Sequence, residues 1–200
     1  MKTLFLASKS ASRQKLLRES KINFKLVDQN FDESLCDINL PLRKVVESIA
    51  QKKMEHVILP SAKEHDSCIV LTADTMGLDN NNKIHGKPKD KEDAIRMIKS
   101  FQNGSLTGTA ICVEQRIWIS GKWESKKRIV RYAQAEYLFF IPDKYIEWYL
   151  DNFENEGYLN VSGAVQIEGI GAQFLKNLNG SYSAVLGLPL YELRGALEEF

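Results

Sequence analysis

Three hydroxyls and a guanidinium crowd the point where an apolar run turns into a helical pattern: Ser8, Ser10, Ser12 and Arg13, within LFLASKSASRQKLL. A helix start leaves backbone N–H groups without intrahelical acceptors, and the helix dipole adds positive potential there. Hydroxyl donors and an arginine beside those amides make a seat for a phosphate. The same residues have an ordinary use as well, Ser10 as a helix cap and Arg13 as a solvated charge.

Carboxylates and further cations recur along the chain. Asp74 closes the apolar run of CIVLTADT. In α/β sheets ligands gather beyond the carboxyl ends of strands, where an acid can hold Mg²⁺ or take a proton from water. Its alternative role is to open the next turn. Glu33, beside Asp32 in NFDES, would complete a cation site opposite Asp74 or belong to a solvated loop. Lys53 falls at about 20° on a helical wheel counted from Leu42, in the middle of an apolar stripe. A lysine there either snorkels outward or reaches a buried anion. Lys87, in HGKPKDKEDA, stands between Gly86 and Pro88 on a short, stiff arm, or is one charge of a soluble surface. The three histidines, His56, His65 and His85, show no metal-ligand spacing. Jointly, cations and hydroxyls for phosphate with separated acids for a divalent ion point to phosphate-ester chemistry.

The elements that must carry these residues alternate. Leu4 to Ser8 reads as a strand, Ala11 to Glu19 as a helix, and Phe24 to Val27 as a second strand. Pro41 to about Leu59 is helical, striped by Leu42, Val45, Val46, Ile49, Ala50 and Val57. A buried strand from Cys68 runs into the Asn-rich hairpin GLDNNNKI. Asp90 caps a helix with Ala94, Met97, Ile98 and Phe101 on one face. Two long strands occupy 106–119 and 127–140 around Gly121. A helix beginning near Pro142 carries Ile146, Tyr149, Leu150 and Phe153, and another spans Leu190 to Leu197, after short strands and Gly-bearing turns. Interleaved helices and strands define the α/β class.

Composition narrows the function. The 200 residues are 44% hydrophobic and 26% charged, with net charge +1. That size suits one large domain or two small lobes. The charge balance advertises neither a nucleic-acid nor a membrane surface, so an anionic partner must meet a local site. The three cysteines, Cys36, Cys68 and Cys112, form no CxxC, and the first apolar run is too short for a signal peptide. The expected location is the cytoplasm.

LASKSASRQKLL, FDES, ADT followed by HGKPKDKEDA, and GAVQIEGIGAQFLKNLNGSYSAVLGLPL occur in the order seen in the Maf family, the septum formation inhibitor family of nucleotide pyrophosphatases. The chain resembles that family from about residue 4 to 195. The resemblance implies a single Maf-like domain over 1–200: an elongated mixed sheet flanked by helices, Maf/ITPase-like, with two lobes around a central cleft, often dimeric. It implies hydrolysis of a nucleoside triphosphate to monophosphate and pyrophosphate with Mg²⁺ or Mn²⁺. Carried over by position, Ser8, Ser10, Arg13 and Lys53 bind the triphosphate, and Lys87 assists. Glu33 and Asp74 hold the metal, Asp74 alternatively serving as general base.

Departures qualify the substrate. Where the family has Ser-x-Ser-Pro-Arg-Arg, this chain has Ser8-Lys9-Ser10-Ala11-Ser12-Arg13, one arginine fewer. Glu168 stands where the dTTP- and UTP-acting branch carries glutamine, which resembles the branch acting on 7-methylguanosine triphosphate. A carboxylate there accepts from a guanine N1–H and amino edge. The competing expectations are a dTTP/UTP pyrophosphatase and a nucleotide-binding regulator of weak activity.

Overall fold

The computed structural model describes residues 2–200. The chain opens with β1 (Thr3–Leu6), α1 (Ala11–Glu19), β2 (Lys25–Leu26) and β3 (Asp28–Gln29). There follow α2 (Leu42–Glu55), β4 (Val57–Ile58), β5 (Ser67–Leu78), β6 (Ile84–His85) and α3 (Lys91–Phe101). Two long strands, β7 (Ser105–Ile119) and β8 (Lys122–Phe139), precede α4 (Asp143–Asp151). The remainder holds short 3₁₀ turns, β9 (Leu175–Gly180), α5 (Tyr182–Val185) and α6 (Leu190–Leu197).

The protein is a mixed α/β fold. Its seven-stranded sheet runs in the order β2-β1-β5-β7-β8-β9, with β6 folded back on β5, and β3 pairs with β4 apart from it. β1 is parallel to both β2 and β5, whereas β6 and β9 pair antiparallel with their neighbours. β5 is buried from Cys68 to Asp74, as expected for a strand covered on both faces.

The chain divides into two compact units. The first comprises 1–74, 109–132 and 187–200; the second comprises 75–108 and 133–186. In the first, α2 packs Leu42, Val45, Val46, Ile49, Ala50 and Met54 inward. Val57, expected in that stripe, instead begins β4, because the helix ends at Glu55. The C-terminal carbonyl of Met54 accepts from Arg116 Nη2 at 2.6 Å, a cation where the helix dipole favours one. Arg116 and Arg128 both hold the fully buried Glu114, so this charge inside the first unit is paired twice. In the second unit, Ala94, Met97, Ile98 and Phe101 of α3 join Tyr137, Phe139, Ile146, Tyr149 and Ile167 in one apolar cluster.

One hydrogen bond in the first unit ties α2 to β5. The buried Thr72 hydroxyl donates to the carbonyl of Ala50 at 2.6 Å. Thr72→Val keeps the shape and removes that bond. It should lower unfolding free energy by about 1 kcal/mol, read as a reduced urea midpoint with unchanged m-value.

Candidate functional site

Strand and helix periodicities bring Lys53 and Asp74 together. Thr72 and Asp74 are two apart on β5 and share a face; Ala50 and Lys53 are three apart on α2 and share a face. Thr72 meets Ala50, and Asp74 meets Lys53, with Lys53 Nζ 2.7 Å from Asp74 Oδ1. The lysine does not snorkel. It is 6% exposed, and its ammonium also lies 2.8 Å from Glu33 Oε1. The paired acids of NFDES divide their work. Asp32 caps the 3₁₀ turn Glu33–Leu35 by accepting from Ser34, which leaves Glu33 to face the lysine.

Burial pushes the Asp74 carboxyl above its ordinary value despite the hydrogen bond from Lys53, and Glu33 adds to that rise. Its second oxygen, Oδ2, is buried without a hydrogen-bond partner among the described residues. An acid held in this state is poised to take a proton from an incoming group.

Arg13 is buried, not solvated. It lies on the face of α1 that also buries Leu16 and Leu17. Its Nε donates to the carbonyl of Gly187 at 2.8 Å and its Nη1 to Ser8 Oγ at 3.0 Å. Burial pulls the guanidinium below its ordinary value, while Asp74 and Glu33 pull it back. Ser10 caps α1, its hydroxyl accepting from the amide of Arg13, and Ser8 Oγ accepts from the amide of Ser10. In these contacts both hydroxyls accept, so each keeps a proton with which to bind an anion. Ser8, Ser10, Arg13, Glu33, Lys53 and Asp74 therefore belong to one unit, where Arg13 and Lys53 balance Glu33 and Asp74.

Lys87 and Glu168 lie in the second unit. Lys87 is exposed between the half-buried Gly86 and the buried Pro88. Glu168 is half-buried and precedes the 3₁₀ turn Gly169–Phe174, where its carbonyl accepts from the amide of Gly171 at 3.1 Å. Of the aromatic side chains with base-stacking potential, Tyr158 is buried and Phe174 packs edge-on against Phe139 and Tyr149. Trp148 is 45% exposed. Sequence reasoning missed two buried contacts: the Gly187 carbonyl that anchors Arg13, and a pair of His85 with Asp79 in the second unit.

The donor set fits a divalent cation of the magnesium kind. Such an ion is commonly bound through one or two carboxylates together with substrate phosphates. Asp74 offers an unpartnered buried oxygen and Glu33 a second carboxylate, both gathered on Lys53. Among the described residues no group of three or more His, Cys, Asp or Glu could hold a metal, so the remaining ligands would come from substrate and water.

The α/β sheet thus carries hydroxyls and a buried arginine at a helix start and two acids around one lysine. The profile of Maf-like proteins matches residues 3–200, and the chain belongs to the Maf family. A dTTP/UTP pyrophosphatase of Fusobacterium nucleatum subsp. nucleatum is 33% identical over 189 residues, covering 94% of this chain and 90% of that protein. A dTTP/UTP pyrophosphatase of Clostridium botulinum is 31% identical over 203 residues, covering 100% and 97%. One from Clostridium perfringens is 30% identical over 198 residues, covering 98% and 96%. No helix among the described residues is long and apolar enough to cross a membrane.

Because Asp74 is raised in the folded chain, folding takes up a proton there, and stability falls as pH climbs through the folded value. Asp74→Asn lacks that loss. In a chelating buffer the difference in Tm, variant minus wild type, should grow as pH rises above the ordinary carboxylate range. A flat difference would show that burial does not perturb Asp74.

Proposed function

We propose that the chain hydrolyses dTTP and UTP to the monophosphates and pyrophosphate at the Lys53–Asp74 centre. The reaction class, nucleoside triphosphate pyrophosphatase, follows from its family and relatives; the bases named on those relatives support the substrate reading. The observation that carries the mechanism is Asp74: buried, raised, tethered through Oδ1 and unpartnered at Oδ2.

In this reading water attacks the α-phosphorus and gives its proton to Asp74 Oδ2. The bond from that phosphorus to the bridging α,β oxygen breaks, and pyrophosphate leaves with the electron pair. Lys53 fixes the carboxylate's orientation. Arg13 and the hydroxyls of Ser8 and Ser10 hold the phosphate chain; Lys87, which the family resemblance adds as a phosphate ligand, belongs to the second unit. Little covalent chemistry is needed from the protein, since neutralising charge and orienting water do most of the work. Arg13 and Lys53 are already balanced by Glu33 and Asp74, so a triphosphate brings uncompensated negative charge. Mg²⁺ or Mn²⁺ would supply the missing positive charge, held by Glu33 and the substrate phosphates where Asp74 is the base, or by Glu33 and Asp74 where another group takes the proton.

Glu168 favours a second reading, 7-methylguanosine triphosphate. A carboxylate accepts from a guanine edge and attracts the methylated ring's positive charge, which a thymine or uracil edge does not offer.

Pyrophosphate release measured with Mg²⁺ across dTTP, UTP, the other common triphosphates and 7-methylguanosine triphosphate tests both. The expected result is turnover of dTTP and UTP, abolished in Asp74→Asn with the fold retained. Binding without release on every substrate would favour a nucleotide-binding regulator. Preferred turnover of the methylated substrate would favour the second reading, and Glu168→Gln should then shift the ranking toward pyrimidines. An unchanged ranking removes Glu168 from base recognition.

A further inference from the structure

His85 is buried in the second unit, in a place where the hydrophobic pattern gives it no reason to be polar. Its Nε2 lies 2.7 Å from Asp79 Oδ2, and its ring sits 5.2 Å from that of Phe101. Asp79 Oδ1 accepts from the amides of Asn81 and Lys83, each at 2.9 Å. Burial pushes the Asp79 carboxyl up, but the hydrogen bonds from His85, Lys83 and Asn81 outweigh it and hold the group below its ordinary value. An ionised carboxylate only accepts, so Nε2 carries the hydrogen. One side chain thus gathers the turn and a residue of its return strand, β6.

The backbone leaving that turn is gripped from a distant part of the sequence. Ser162 Oγ donates to the His85 carbonyl at 3.0 Å, and the Gly163 amide donates to the Gly86 carbonyl at 2.9 Å. Gly163 fills this place because it has no side chain. Its φ is +65°, and a Cβ would meet the Phe101 ring at 2.7 Å. The far side of the same loop is pinned by Tyr149, whose hydroxyl donates to the Ala164 carbonyl at 3.0 Å and accepts from the Gln166 amide at 2.8 Å. Lys87 follows Gly86 directly, and Glu168 follows Gln166 by two residues.

We propose that His85 is a positioning residue: with Asp79 and Ser162 it fastens the Gly86-Lys87-Pro88 arm to the loop leading to Glu168, so that Lys87 is presented to phosphate from a fixed base. The proposal rests on the reading of Lys87 as a phosphate ligand. A leucine would fill much of the same space. What imidazole adds is a hydrogen bond to a buried carboxylate, and with it a defined orientation for the backbone that precedes the lysine. Small displacements of a charged group from its substrate are costly in rate, up to about a hundredfold for an error near 1 Å.

A double-mutant cycle on the full-length protein tests this, with wild type, His85→Leu, Lys87→Ala and the double variant. Two readouts run in parallel: kcat/KM for dTTP, and Kd for a non-hydrolysable dTTP analogue, which reports even without turnover. Lys87→Ala and His85→Leu should each weaken both by roughly tenfold or more, and His85→Leu should add less than about twofold once Lys87 is gone. His85→Gln, which keeps a donor for Asp79, should recover most of the loss. Should His85→Leu fail to fold, Ser162→Ala takes its place in the same cycle and is expected to lose its effect on the Lys87→Ala background. Equal losses on both backgrounds would make His85 a matter of stability alone and overturn the proposal. Lys87→Ala indistinguishable from wild type would overturn the phosphate role of Lys87 and the proposal with it. Coupling seen in Kd with no turnover would uphold the positioning role while removing the enzymatic reading.

Discussion

An ammonium held between two carboxylates organises the first unit. Lys53 reaches Asp74 and Glu33 at 2.7 and 2.8 Å from a side chain that is almost wholly buried. Taking such charges out of water is expensive, and the cost is met only when each charge has a close opposite partner. That requirement ties three parts of the chain together: the middle of a strand, the end of an amphipathic helix and a short 3₁₀ turn. Their alignment depends in turn on Thr72 and on Arg116 at the helix end. The arrangement is nonetheless incomplete. Glu33 is half-exposed and Asp74 retains an oxygen with no partner among the described residues.

Much of this was legible in the sequence wherever a periodicity carried it. The wheel angle of Lys53 placed it on the buried face, and burial followed. The apolar run before Asp74 marked the strand that bears it. α1 and α6 fall at the expected bounds, Ala11–Glu19 and Leu190–Leu197. Arg13 had a readable signal as well: with Leu16 and Leu17 it completes an i, i+3, i+4 face, which argues for burial over solvation. Val57 went the other way, since the apolar pattern continues past the point where the helix stops and the strand starts.

The parts that stayed hidden are those made by backbone atoms or by pairs without regular spacing. Gly187 serves Arg13 through its carbonyl, and no side-chain pattern encodes that. His85 and Asp79 are six residues apart across a hairpin, so neither helical nor strand spacing connects them. The hydroxyl of Ser162 meets the carbonyl of His85 across 77 positions.

The contact between Arg13 and Gly187 spans 174 positions. A chain emerging from the ribosome therefore presents the serines and the arginine long before the carbonyl that locks the guanidinium exists. Contacts of such separation close late and slowly. The anchor of Arg13 is thus among the last features to mature, and an unfinished polypeptide carries the buried-face arginine without the carbonyl that fixes it.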